Sequence, residues 1–183
     1  MQEYKLFLPP THLIKKEAKN YTKKDAQDFF QFIMEKKSER IKFFLDFINF
    51  KLSNNVSEDL KTLSKVFFEQ LKSSIFSIKN NSLVELTNAG YSFCFDLGLL
   101  VGDLIVKQMP DVKWTIGKGP KTYNGNNIPV IKNDKTEYDI LGISIHGSEF
   151  ALNNNKPKNW YDQYITMMKT LKDPLWFKKE YNL

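Results

Sequence analysis

The chain has a single cysteine, Cys94, among 183 residues. One cysteine excludes an internal disulfide and any zinc site built on several thiolates, and it agrees with a reducing, cytoplasmic location. Cys94 lies among apolar and very small residues, so we expect it to be a buried core residue rather than a nucleophile. We recognise no metal-binding or cofactor-binding pattern in the sequence, and we predict neither.

Arginine is nearly absent too: of 27 basic residues only Arg40 is an arginine, although the net charge is +6 and the isoelectric point about 9.2. Arginine is the side chain that grips guanine or phosphate through two parallel hydrogen bonds, whereas lysine is a looser point charge. The lysines are also mixed with acidic residues, as in KKEAK at 15–19, which is typical of solvated helix faces. Nucleic acid is therefore not the favoured partner.

No apolar run reaches the ~20 residues needed to cross a bilayer. The longest run, from Phe93 to Val106, is interrupted by Asp96 and Asp103. The start of the chain, MQEYKLFLPPTHL, lacks the apolar stretch and the small-residue cleavage site of a signal peptide. We therefore expect a cytoplasmic protein without a membrane partner.

The chain is organised around the stretch from Ser82 to Trp114, which is apolar on almost every side in its middle and predicts a buried central helix. Pro110 predicts the end of this helix near Met109. Four small residues recur at every fourth position and form one narrow ridge: Gly90, Cys94, Gly98 and Gly102. Such a ridge indicates that another backbone passes close by. It leaves open whether that backbone belongs to the same chain or to a second copy in a homodimer.

Two segments before the central helix have helical periodicity. Thr22 and Asp25 have the spacing of a capping box and predict a helix start. The apolar pattern continues to about Leu52, either in one long helix or with a new start at Ser38. A further helix is predicted from a cap at Ser57 to about Lys72.

The periodicity of apolar residues changes after Pro110, where short strand patterns replace helical ones. Lys113–Ile116, Ile128–Ile131 and Tyr138–His146 predict three strands of a small antiparallel meander. A last helix is predicted from about Asn159 to Leu171. The sequence therefore predicts one α+β domain over 1–183, mainly helical over 21–110, with a small sheet in 111–150 and a closing C-terminal helix and tail in 157–183.

Asp96 and Asp103 are the acidic residues of the central helix and stand on one side of it. A buried carboxylate is costly unless it is paired or hydrogen-bonded. We therefore expect both to be structural polar anchors. The alternative is a cleft in which they join Asp139 and His146 in acid–base chemistry.

The segment 117–122, GKGPKT, superficially resembles a phosphate-binding loop. Pro120 removes a backbone N–H from its middle, and a turn-rich loop follows where a P-loop needs a helix. We expect an exposed loop instead, in which Lys118, Lys121 and Tyr123, with Trp114 behind them, contact an acidic surface of a partner protein.

A resemblance covers roughly Tyr21 to Ile131. YTKKDAQDFFQFIMEKKSERIKFFLDFI at 21–48 resembles the opening helices of a group of small, uncharacterised bacterial proteins. The further matching stretches are Asp96-Leu97-Gly98 through Gly102-Asp103, Trp114, Gly119-Pro120-Lys121 and Asn127-Ile128-Pro129-Val130. The chain departs from that group at Asp103, where Glu is more usual, and at Leu100, which replaces an aromatic residue.

The resemblance carries no catalytic residues, but proteins of this size and style are similar to the immunity and accessory proteins encoded beside bacterial toxins. Our leading hypothesis is therefore a cytoplasmic protein-binding module of the immunity type, which neutralises a partner toxin. The alternative is a small enzyme or ligand-binding protein that uses the acidic residues and His146 in a cleft between helix and sheet.

Overall fold

The computed structural model describes residues 3–118, 126–176 and residue 180, and these form five α-helices and two small antiparallel sheets. This confirms the predicted α+β fold. The helices are α1 (Lys23–Phe47), α2 (Val56–Leu71), α3 (Asn88–Gln108), α4 (Ile140–Asn153) and α5 (Trp160–Lys172); the strands are β1 (Ser77–Asn80), β2 (Leu83–Leu86), β3 (Lys113–Ile116), β4 (Pro129–Lys132) and β5 (Glu137–Tyr138).

Helix α1 begins as the sequence predicts. Thr22 Oγ1 accepts a hydrogen bond from the Asp25 N–H at 3.1 Å, and the Asp25 carboxylate accepts one from the Thr22 N–H at 2.9 Å, which completes a capping box. The helix then runs unbroken past Ser38, so the single long helix is the alternative that the chain adopts. The cap of α2 is Asn55, whose side chain accepts from the Glu58 N–H, and the predicted cap at Ser57 is wrong.

The central helix α3 is shorter at its start than predicted. It begins at Asn88, where Thr87 Oγ1 accepts from the Gly90 N–H at 3.0 Å, and it ends before Met109 as Pro110 indicates. The residues before it form a hairpin, β1 with β2, that turns at Asn81, whose φ is +55°. This hairpin was not predicted, because each strand is four residues long and lacks a clear alternation of apolar and polar residues.

Helix α3 is also, among the described residues, the one helix that is long and apolar enough to cross a membrane by length and composition. Two thirds of that apolar window (67%) is buried inside the fold. Helices α1, α4 and α5 pack around it, and its exposed surface is small. This is the environment of a core helix.

The second sheet has the order β3-β4-β5, antiparallel throughout, with Lys113 opposite Lys132 and Ile131 opposite Tyr138. The meander is as predicted, but the third strand is not: it ends at Tyr138, and the rest of the predicted strand belongs to α4. Asp139 begins the helix by accepting the Gly142 N–H at 2.8 Å. The short apolar run from Tyr138 to His146 fits the periodicity of a strand and that of a helix. The segment forms a helix because one helical face is buried against the rest of the fold.

The ridge of small residues on α3 contacts neighbours in the same chain. Gly98 lies against α4, where a Cβ would stand 2.9 Å from Ser144 Oγ, and Ser144 donates a hydrogen bond to the Cys94 carbonyl. Gly90 lies against the Phe76 carbonyl, and Gly102 against the indole of Trp114. The close approach that the ridge indicates is therefore intramolecular.

Candidate functional site

Asp96 is fully buried and lies in an ion pair with Arg40. Arg40 Nε donates to the carboxylate at 2.9 Å, and a second guanidinium nitrogen, Nη2, contacts the other oxygen. Tyr4 Oη donates to the same carboxylate at 2.5 Å, and Arg40 Nη1 donates to the Lys5 carbonyl at 2.8 Å. These contacts, which we call the Arg40 cluster (Tyr4, Arg40 and Asp96), tie the start of the chain to α1 and α3.

The environment of the Arg40 cluster is aromatic. The guanidinium carbon lies 5.3–5.7 Å from the ring centroids of Tyr4, Phe7 and Phe43. Burial raises the pKa of Asp96 to about 6, against the opposing effect of hydrogen bonds from Arg40 and Tyr4. Burial and the Asp96 carboxylate likewise raise the pKa of Tyr4. Each ionisable side chain of the cluster is hydrogen-bonded to another side chain of the cluster. This is the geometry of a structural anchor.

Asp103 lies two turns further along α3, on the same side as Asp96, and is paired with two lysines. Its carboxylate contacts Lys37 of α1 and Lys107 of α3, the latter at 3.0 Å. Partial burial raises the pKa of Asp103, but the two lysines outweigh this effect and leave the pKa below its ordinary value. Asp103 is therefore a charged residue that joins α1 to α3.

Asp139 and His146 have other roles. Asp139 is the cap of α4, and burial raises its pKa although the Gly142 N–H opposes this. The exposed His146 ring lies 3.3 Å from Glu149, which also accepts a hydrogen bond from Tyr91 Oη at 3.1 Å. Asp96, Asp103 and Asp139 are thus held in three separate sets of contacts. Within this group of four, the described residues give one link: the charge of His146 lowers the pKa of Asp139 against the larger effect of burial.

A metal site and a reactive cysteine are two further kinds of functional site. Within 3–118, 126–176 and 180, no three His, Cys, Asp or Glu side chains are grouped in a way that could hold a metal ion. Cys94 is a free, buried cysteine, and burial raises the pKa of its thiol to about 12. Since the thiolate is the nucleophilic form, this cysteine behaves as a core residue.

Two of the four predicted partner-binding residues, Lys118 and Trp114, lie in the described part of the chain. Lys121 and Tyr123 lie outside the described residues. Lys118 is exposed at the end of β3. Trp114 is half-buried: its ring lies on Gly102, Lys37 Nζ stands 5.8 Å from the ring centroid, and its Nε1 has no hydrogen-bond partner among the described atoms.

Lys118 lines a groove of about 690 Å³ between the start of α1 and the end of β3, which we call the Lys118 groove. Its lining comprises Lys23, Ala26, Gln27, Thr115, Ile116, Gly117, Lys118, Asn126 and Asn127. Lys23 and Lys118 are the charged residues of this lining, and no described carboxylate forms an ion pair with either. The groove is therefore cationic.

Asn127 fixes the geometry of this groove. Its φ of +63° turns the chain into β4, and its Nδ2 donates to the carbonyls of Ala18 and Tyr21, both at 3.4 Å. The loop before β4 is thereby attached to the segment that leads into α1. Sequence reasoning missed Lys23 as a neighbour of Lys118, because 95 positions separate the two residues and no local pattern links them.

The fold and the groove together define a small α+β protein with a cationic groove at one end of its sheet. A scan against models of protein families found no match to the chain. Comparisons with curated proteins and with solved structures found no match either.

Proposed function

We propose that this protein is a protein-binding module and that the Lys118 groove receives an acidic surface of the partner. The observation that carries the proposal is the lining itself: among the described residues it contains two lysines from distant parts of the chain and three amide side chains, and no carboxylate. Complementary charge steers two proteins together and selects against partners of like charge.

The sequence that follows Lys118 adds a charge of the same sign. The segment 119–125, GPKTYNG, joins Lys118 to Asn126 in the chain and contains Lys121 as its one charged residue. Lys118, Lys121 and Tyr123 are therefore the residues for which we expect the largest effect on binding. A tyrosine in such a contact contributes apolar area and a hydrogen-bonding hydroxyl.

The more specific proposal is an immunity-type protein that neutralises a toxin encoded nearby in the genome. It rests on the resemblance of 21–131 to small bacterial proteins of that style. Inhibition through surface coverage needs a stable core and a complementary face, and it needs no catalytic group or cofactor. Among the described residues, Asp96 and Asp103 are engaged by cations and Asp139 caps α4, which favours structural roles over the alternative acid–base site; the charge interaction of Asp139 with His146 is the one link within that site.

The test is co-expression of this protein with the product of the adjacent gene in a bacterial host. We expect the neighbouring product alone to slow growth, co-expression to restore growth, and the two proteins to purify as a complex. A Lys118→Glu variant should restore growth less well than a Lys65→Glu variant, because Lys65 is an exposed lysine on α2 outside the groove. A neighbouring product that neither slows growth nor binds contradicts the immunity-type proposal.

A further inference from the structure

A second groove, of about 630 Å³, lies between the start of α2 and α5. We call it the Tyr164 groove, and its lining comprises Ser53, Asn54, Asn55, Val56, Ser57, Gln108, Tyr161, Tyr164 and Ile165. It shares no residue with the Lys118 groove. Its volume falls in the range of about 300–1,000 Å³ that is typical of small-molecule sites.

Tyr164 lines this groove and has an unpaired hydroxyl. The residue is 2% exposed, and its Oη is buried without a hydrogen-bond partner among the described atoms. Burial raises the pKa of Tyr164 to about 12, so the hydroxyl is a protonated donor at neutral pH. A buried polar group without a partner is costly, and native proteins rarely leave one.

The rest of the lining offers further unpaired groups. The side chains of Asn54, Ser57, Gln108 and Tyr161 form no hydrogen bond within the described part of the chain. The backbone N–H groups of Val56 and Ser57, in the first turn of α2, likewise have no acceptor there. Unpaired donors and acceptors are therefore found on several residues that line one groove together with two tyrosines.

The lining carries no charged residue, although 26% of the chain is charged. The nearby charges are of both signs and already engaged: Asp59 accepts from Ser53, and Lys61 Nζ stands 4.7 Å from the ring centroid of Tyr161. Glu58 and Asp59 in the first turn of α2 also oppose an anion at this helix start. This balance favours a neutral ligand over a phosphate or carboxylate.

We infer that the Tyr164 groove binds a neutral sugar. Sugar hydroxyls both donate and accept, so they match a lining of amides, hydroxyls and backbone N–H groups. The C–H faces of a sugar ring pack on aromatic side chains such as Tyr161. A sugar hydroxyl then accepts the hydrogen bond that Tyr164 lacks. This site is independent of the proposed protein-binding function, so either can fail alone.

The experiment titrates the full chain with glucose, galactose, N-acetylglucosamine, maltose and cellobiose, and with glucuronate and glucose 6-phosphate as anionic controls. NMR of the tyrosine ring protons reports binding at the groove. We expect saturable shifts with at least one neutral sugar and none with the anions. No saturable shift with any of the five neutral sugars, or equal binding of the anions, overturns the inference.

Two tyrosine variants complete the test. Tyr164→Phe removes only the unpaired hydroxyl, so we expect an unchanged or higher melting temperature and an affinity about tenfold lower, as for the loss of one buried hydrogen bond. Tyr138→Phe is the matched control on β5, outside the groove, and should bind as the wild type does. Wild-type affinity in Tyr164→Phe would refute the assignment.

Discussion

Arg40 is the single arginine of the chain and lies in its interior. Arg40 is 4% exposed and neutralises the carboxylate of Asp96 inside a shell of aromatic rings. Removing one member of a buried ion pair leaves the other charge uncompensated, whereas exposed pairs contribute little. The stability of the fold therefore depends on this one pair far more than on the many lysine–carboxylate pairs at the surface.

We predict that Arg40→Met lowers the free energy of unfolding by about 3–5 kcal/mol. The cost should be smaller near pH 5 than near pH 8, because Asp96 without its cation can bind a proton in the folded state. Urea unfolding followed by circular dichroism measures both. Lys42→Met is the control: its pair with Asp46 is exposed, with side-chain exposures of 76% and 63%, and should contribute less than about 1 kcal/mol. Equal losses in the two variants would refute the anchor role.

Asp25 supplies a prediction on pH. The Thr22 backbone N–H and the Lys16 ammonium lower the pKa of Asp25 to about 2. A carboxyl whose pKa is lower in the folded state stabilises the fold above its unfolded pKa of about 4, and this contribution is lost as the pH falls towards about 2. The stability difference between wild type and Asp25→Ala should therefore shrink across that window.

Urea titrations between about pH 7 and about pH 2 test this dependence. Asp28→Ala is the control on the same helix, since the ion pair that the described residues give Asp28 is with the exposed His12, at 3.5 Å. We expect Asp28→Ala to change stability little at every pH. A difference between wild type and Asp25→Ala that stays constant down to the lowest pH would contradict the capping role of the ionised carboxylate.

At the scale of the elements, helices and strands could be predicted from the sequence where a local rule sets their ends. They could not be predicted where burial against other elements decides between helix and strand. The capping box at Thr22, the end of α3 before Pro110 and the order of the small meander could all be predicted. The helix α4 could not, because its run from Tyr138 to His146 alternates like a strand, and only packing of Leu141 and Ser144 on α3 selects the helix.

The candidate site divides in the same way. The sequence indicated that Asp96 and Asp103 need partners, because acidic residues in an apolar helix are costly when unpaired. It could not name Tyr4 and Arg40, which come from 92 and 56 positions away. Nor could it place Lys23 and Lys118 on one groove, since that arrangement depends on how α1 lies against the sheet.

The ridge on α3 gives a prediction for this scale. Alanine normally stabilises a helix by about 1 kcal/mol relative to glycine. At Gly90 the added Cβ meets the Phe76 carbonyl, which is backbone and cannot move aside, so Gly90→Ala should destabilise the fold by about 1–3 kcal/mol. Thermal unfolding of the two proteins measures the effect.

Gly147→Ala in α4 is the matched control. The added Cβ there meets the flexible end of Lys158, which can swing away, so we expect this variant to be as stable as the wild type or slightly more stable. If Gly90→Ala also matched the wild type in stability, α3 would not pack as closely on the segment before β1 as the structure shows.

At the scale of the whole molecule, the paired and unpaired charges are distributed unevenly. The two acidic residues of α3 pair with basic residues of α1, while the two lysines of the Lys118 groove have no carboxylate partner among the described residues. Part of the net charge of +6 is therefore concentrated at one end of the sheet. This is the feature on which the protein-binding proposal depends.

The most direct measurement is the affinity of the purified adjacent gene product for three proteins: the wild type, Lys118→Glu and Lys65→Glu. Calorimetry at low and at physiological salt separates the charge contribution from the rest. The account predicts that Lys118→Glu binds at least about tenfold more weakly than the other two, because like charges face each other across the contact. A complex with equal affinity for all three proteins would contradict the assignment of the Lys118 groove as the binding surface.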